Sequence, residues 1–245
     1  MRRFARFSAV LLVLVAAGGC DDNPTSPTSD PGPGSSGGGA STSTLTATRF
    51  LAFGDSLTEG EVTGMGVVPS ASYPAQLLTR LRARYPSQAS QFEVTNAGRS
   101  GELVASGEPR LAQLLANSQT QALLLLDGYN DLLDYGAGGV NPAFVVMNRM
   151  AQDGRRRGAR VFIGLMPPPI PGRQRSVPDE VVRAFNDRLR EIAAGESAVV
   201  VDLYRALGTD VTRYIGIDGH HPTEAGYQRI ADEFLARIAE ELQPR

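Results

Sequence analysis

Arg49-Phe50-Leu51-Ala52-Phe53, running straight into Gly54-Asp55-Ser56-Leu57-Thr58-Glu59-Gly60, decides how the chain is read. A continuous apolar run of strand length, closed by a Gly/Asp/Ser turn, reads as a strand buried on both faces. The pattern recurs at Phe92–Asn96, Ala122–Leu126, Arg160–Leu165 and Ala198–Leu203. Helix-period segments lie between and after these runs: Tyr73, Leu77, Leu78, Leu81 and Tyr85, then Val181, Val182, Phe185, Leu189 and Ile192. A last one carries Ile230, Phe234, Leu235 and Ile238. Strands joined by helix-length connections require a parallel sheet covered on both faces. With right-handed crossovers the expected fold is α/β, a three-layer α/β/α sandwich around about five parallel strands. A ligand then belongs beyond the carboxyl ends of the strands.

Composition narrows the chemistry. Hydrophobic residues at 42% and charged residues at 20% of 245 positions suit one soluble catalytic domain. Lysine is absent, so all 24 basic side chains are arginine. A Walker-type phosphate loop, a pyridoxal Schiff base and a biotinyl or lipoyl carrier are thereby excluded. One Cys and two His cannot build a Cys/His structural zinc site, and one Cys cannot form an internal disulfide. A net charge of −2, with no basic run longer than Arg155–Arg157, offers no footprint for nucleic acid. Chemistry by Ser, His, Asp, Glu, Tyr and backbone amides remains, with no cofactor and no metal expected.

The N-terminus reads as a targeting segment. Arg2, Arg3 and Arg6 precede the apolar run Ala9–Ala17, too short for a bilayer span but suited to a signal-peptide core. The run ends Ala17-Gly18-Gly19-Cys20, which resembles a bacterial lipobox, with Ala17 where Leu is usual. That resemblance implies cleavage before Cys20, a lipid on its sulfur, and an exported domain anchored in the cell envelope. The alternative is ordinary secretion of a soluble protein. Across 21–44, Pro, Gly, Ser and Thr fill 19 of 24 positions, and nothing apolar is larger than Ala. Such a segment buries too little to offset its ordering entropy, and it is expected to act as a tether reaching about 25–30 Å. The expected organisation is therefore 1–19 signal peptide, 20–44 lipid site and tether, and 45–245 catalytic domain.

Four polar clusters carry candidate chemistry. In Gly54–Gly60, Ser56 sits at a strand-to-helix junction, where a hydroxyl can face the cleft, though Asp and Gly beside Ser also make an ordinary turn and cap. In Asn96-Ala97-Gly98-Arg99-Ser100-Gly101, glycine lets a backbone amide approach a ligand, or simply forms a βα loop. In Gly128-Tyr129-Asn130-Asp131, Asn130 can offer its amide to an oxyanion or cap a helix. In Asp218-Gly219-His220-His221-Pro222, a carboxylate three residues before an imidazole can orient it and stabilise its cation. Both histidines of the chain stand in that loop, which favours function.

Taken together, the four clusters resemble the SGNH branch of the GDSL hydrolases over about residues 48–240, nearest its bacterial lysophospholipase/thioesterase-like members. The resemblance implies a flavodoxin-like sheet, Ser56 as nucleophile, His221 as base and Asp218 as its orienting acid. It implies an oxyanion hole from the N–H groups of Ser56 and Gly101 and the amide of Asn130, with His220 merely intervening. Asp127 departs from the family pattern, which has a less polar residue before Gly128, and Met166–Gly172 is unusually rich in proline. That loop reads equally as an acyl-pocket wall or a rigid connector.

The implied activity is ester hydrolysis through an acyl-enzyme, of lysophospholipase or lipase type. The alternatives are a carbohydrate acetyl esterase with the same residues and a non-catalytic tethered binding module. Val62, Met65, Val67, Val68, Leu132, Leu133 and Ile170 are the expected apolar walls and lean toward an acyl chain.

Overall fold

A computed structural model describes residues 43–244. The signal-peptide reading, Cys20 and nearly all of the tether lie outside them. Among the described residues the first buried side chain is Leu45.

In chain order the elements are β1 (Arg49–Gly54), α1 (Ser56–Glu59), β2 (Glu61–Val62), β3 (Gly66–Val67), α2 (Tyr73–Arg84), β4 (Glu93–Gly98), α3 (Val104–Asn117), β5 (Ala122–Leu126) and α4 (Tyr129–Tyr135). There follow α5 (Val140–Arg156), β6 (Arg160–Gly164), α6 (Asp179–Gly195), β7 (Val199–Val201), α7 (Leu203–Gly208), α8 (Val211–Tyr214) and α9 (Glu224–Leu242). Five strands form one parallel sheet in the order β4-β1-β5-β6-β7. The short β2 and β3 make a separate antiparallel ribbon.

Helices α2 and α9 pack together, α3, α5 and α6 pack as a second group, and the sheet lies between. Every residue of the central strand β5 is buried, as a strand covered on both faces must be. The edge strand β4 is largely exposed and continues two residues past the apolar run, through Gly98, because its hydrogen bonds to β1 continue that far. β7 stops at Val201, earlier than its apolar run suggested. Asp202 there accepts the N–H of Arg205 and starts α7, so the last two residues of the run belong to a cap and a helix.

Strand order reverses between β1 and β5, since the chain moves from β1 outward to β4 and then returns to β5 on the other side. The loops after β4, β1 and β5 therefore open side by side at the carboxyl edge. Glycine makes that crowding feasible. A Cβ on Gly54 would lie 1.8 Å from the Leu126 carbonyl oxygen, and one on Gly98 would lie 2.0 Å from the Glu59 nitrogen.

Candidate active site

Ser56 is the first residue of α1, fixed by its neighbours on both sides. The Asp55 carboxylate accepts the N–H of Leu57 at 2.9 Å, and Gly60 ends the helix in the left-handed region at φ 107°. A four-residue helix leaves its first N–H without an intrahelical acceptor, and the Ser56 N–H makes no bond among the described residues.

The segment Ile215–Pro222 folds back on itself as an antiparallel bridge, with the Gly216 N–H donating to the His221 carbonyl. One Asp218 oxygen accepts the N–H groups of His220 and His221, both at 3.0 Å, and the Thr63 hydroxyl at 3.1 Å. The other accepts from His221 Nδ1 at 2.6 Å. With its proton on Nδ1, neutral His221 presents a lone pair at Nε2, and the Ser56 hydroxyl donates to it at 2.9 Å. Burial works to raise the Asp218 carboxyl, but the bonds from His220 and His221 outweigh it and hold the group below its ordinary value. His220 points elsewhere. It stacks on Tyr129 with ring centroids 3.6 Å apart, and burial pushes it well below its ordinary value, so it stays neutral.

The oxyanion candidates converge by topology. Gly101 follows β4, Ser56 follows β1 and Asn130 follows β5, three adjacent parallel strands. The Asn130 amide donates one hydrogen to the Glu102 carbonyl at 3.2 Å, which ties the β4 and β5 loops together and leaves its second hydrogen unused. The Ser100 N–H donates to Glu59 at 2.6 Å, which ties the β4 loop to α1. Gly101 has φ 76°, and its N–H is unbonded among the described residues.

The proline-rich segment turns out to be a brace. Met166–Pro169 is buried, the Ile170 N–H donates to the Gly219 carbonyl at 3.0 Å, and the Arg175 N–H donates to the Asp218 carbonyl at 2.9 Å. A Cβ on Gly219 (φ 87°) would lie 2.8 Å from the Ile170 oxygen, so this packing needs glycine. Of the expected acyl walls, Val62 and Leu132 are core residues, and Val68, Leu133 and Ile170 pack partly buried against the core. They are committed to folding: Val62 on β2 and the two leucines on α4 face the core, and Val68 and Ile170 pack against it from the connecting segments. Met65 and Val67 are exposed, as is Ile217, which no sequence pattern singled out.

Sequence reasoning missed three features of the site. Thr63 has no motif to mark it. Glu61 places Oε2 3.5 Å from His221 Nε2, with only its position after Gly60 as a signal. The third is a pair of fully buried carboxylates, Asp55 and Asp127, which follow the register partners Gly54 and Leu126. Among the described residues each leaves one buried oxygen without a partner. Burial pushes Asp55 up to about 7 and Asp127 well above its ordinary value, each further raised by neighbouring carboxylates. Burial and neighbouring negative charge both favour the protonated form of these carboxyls.

A carboxyl raised on folding contributes stability below its unfolded pKa of about 4 and loses it as pH rises through the folded value. Asp127→Asn removes its own share of that dependence and leaves that of Asp55. Denaturant titrations at pH 5 and pH 8 should show the variant losing less stability than the wild type between the two. An equal loss in both would mean that Asp127 binds no extra proton on folding in this range.

A family model described as "GDSL-like Lipase/Acylhydrolase family" matches residues 52–229. Esterase TesA of Pseudomonas aeruginosa is 29% identical over 189 residues, covering 76% of this chain and 85% of that protein. Among solved structures, a lipase/acylhydrolase from Enterococcus faecalis superposes with a TM-score of 0.66 at 21% identity, over 81% of this chain and 99% of the other. A crystal structure of TesA superposes with a TM-score of 0.64 at 25% identity, over 78% of this chain and 98% of the other.

Proposed function

The chain belongs to the GDSL-like lipase/acylhydrolase family, and on that premise we propose that it is a serine esterase working through an acyl-enzyme on medium- or long-chain acyl esters. The observation that carries the reading is the unbroken relay from Asp218 to His221 to Ser56, at 2.6 and 2.9 Å. His221 Nε2 takes the Ser56 proton as Oγ bonds to the ester carbonyl carbon. The carbonyl oxygen becomes an oxyanion held by the N–H groups of Ser56 and Gly101 and the free hydrogen of Asn130. As the carbon–oxygen bond to the alcohol breaks, Nε2 returns the proton to the leaving oxygen. Water then repeats the sequence and releases the acid.

The preference for longer acyl groups is supported by the exposed Ile217, which immediately precedes Asp218. Hydrolysis of p-nitrophenyl esters from acetate to palmitate, with Ser56→Ala as control, tests it. A maximum at medium or long chains, lost in the control, is the expected result. A maximum at acetate with steep loss beyond butyrate would instead assign a carbohydrate-type acetyl esterase. No Ser56-dependent turnover of any ester would leave a binding module.

The proposal places the enzyme in the bacterial cell envelope, held to a membrane by lipid on Cys20. Its support is the lipobox-like Ala17–Cys20 and the tether composition that follows. The full chain should sediment with membranes and a Cys20→Ser chain should not; equal sedimentation of both would reject the anchor.

A further inference from the structure

Glu61 stands one residue beyond the turn that closes the nucleophile helix, in the first position of β2. Its backbone is held from two sides: it pairs with Val67 across the ribbon, and its carbonyl accepts the Tyr227 hydroxyl at 2.8 Å. Its side chain is about one-third exposed and directs Oε2 to within 3.5 Å of His221 Nε2. Among the described residues no arginine forms an ion pair with it, and no other side chain hydrogen-bonds its carboxylate. Arg175, on the bracing segment, exerts its field on Tyr129 and His220. A carboxylate thus stands unneutralised at the one imidazole nitrogen that moves the proton.

The reaction assigns a meaning to that position. Nε2 must hand its proton to the departing alcohol oxygen, so that oxygen must come within hydrogen-bond reach of Nε2. Two atoms that each lie so close to Nε2 are at most about 6.5 Å apart. In the proposed mechanism the donors Ser56, Gly101 and Asn130 engage the carbonyl oxygen and not the alcohol. Glu61 therefore borders the alcohol half of the substrate.

We propose that Glu61 selects substrates by the charge of their alcohol, favouring esters of cationic alcohols, accepting neutral ones and rejecting those with an anionic group near the ester. The inference rests on the ester-hydrolase reading of the site and adds the substrate class. At this separation, in partly solvated surroundings, one full charge changes kcat/KM by about tenfold.

Three octanoyl esters with alcohols of similar size probe it: those of choline, 3,3-dimethylbutanol and 2-sulfoethanol. Release of octanoic acid by wild type, Glu61→Gln and Glu61→Lys gives kcat/KM for each, and Ser56→Ala supplies the blank. Ratios between esters within one variant cancel any change in shared chemistry or folding. Comparing those ratios between variants cancels the intrinsic reactivity of each ester. Wild type is expected to rank choline over dimethylbutyl over sulfoethyl, by about tenfold at each step. Glu61→Gln should bring the three ratios together, and Glu61→Lys should reverse the order. Ratios unchanged across the variants, with Ser56-dependent hydrolysis intact, would overturn the role of Glu61 and leave the esterase reading standing. Absence of Ser56-dependent hydrolysis of even the neutral ester would overturn both.

Discussion

His221→Ala is expected to lower kcat by about 10⁴- to 10⁶-fold, with Ser56→Ala no worse and the double variant barely different from either, because nucleophile and base act as one unit. His220→Ala is the informative comparison. The two histidines are adjacent in sequence, yet only His221 lies between Asp218 and Ser56. His220 is stacked on Tyr129 with its Nε2 buried and unpartnered. Removing it costs packing under the catalytic loop and leaves the relay in place. Its effect should be a lowered melting temperature and a fall in kcat of about tenfold or less. Steady-state kinetics on a p-nitrophenyl ester, beside a thermal melt of each variant, separates the two effects. Equal losses of kcat in stably folded His220→Ala and His221→Ala would mean that the base is misassigned.

Asn130→Ala is expected to lower kcat by about 10²–10³-fold with little change in KM, as loss of one oxyanion donor does. The mechanism is specific to the developing charge. One hydrogen of the amide is used to hold the Glu102 carbonyl, and only the other is available to substrate. The alanine variant forfeits both, so stability must be measured as well. Asn130→Asp separates the roles further: it keeps the size of the side chain but places a negative charge where the oxyanion forms, and should be at least as inactive. Near-normal kcat in either variant would remove Asn130 from the oxyanion hole.

Local pattern carried a large share of the architecture. The run Ala122–Leu126 reads as a doubly buried strand from its five consecutive apolar residues, and it is the fully buried centre of the sheet. The periodicity of Tyr73, Leu77 and Leu81 marks the inner face of α2, where Tyr73 stacks on Phe234 of α9 at 4.9 Å. Period and run length are one-dimensional properties, and burial follows them closely. Element ends were less legible, since a strand ends where its partner stops pairing. That is why β4 reached Gly98, and a competing cap cut β7 at Val201.

For the site, the sequence by itself supplied the candidates, and the family resemblance gave Ser56, Asp218 and His221 their expected roles. Absence of lysine, with one cysteine and two histidines, narrowed the chemistry to Ser, His, Asp, Glu, Tyr and backbone amides. Spacing also determined that Asp218 and His221 can meet, because three residues within one turn bring them together. Tertiary structure alone decided the rest. Bringing Ser56 to His221 spans 165 positions and depends on the strand order, which places the β1 loop beside the closing segment. The same packing set Glu61 against Nε2, buried Asp55 beside Asp127, and made the proline-rich segment a brace for the catalytic loop. None of these follows from local pattern, because the distance between residues far apart in the chain is set by how strands align. Sequence names the groups, and the packing of parallel strands sets the distances on which their chemistry depends.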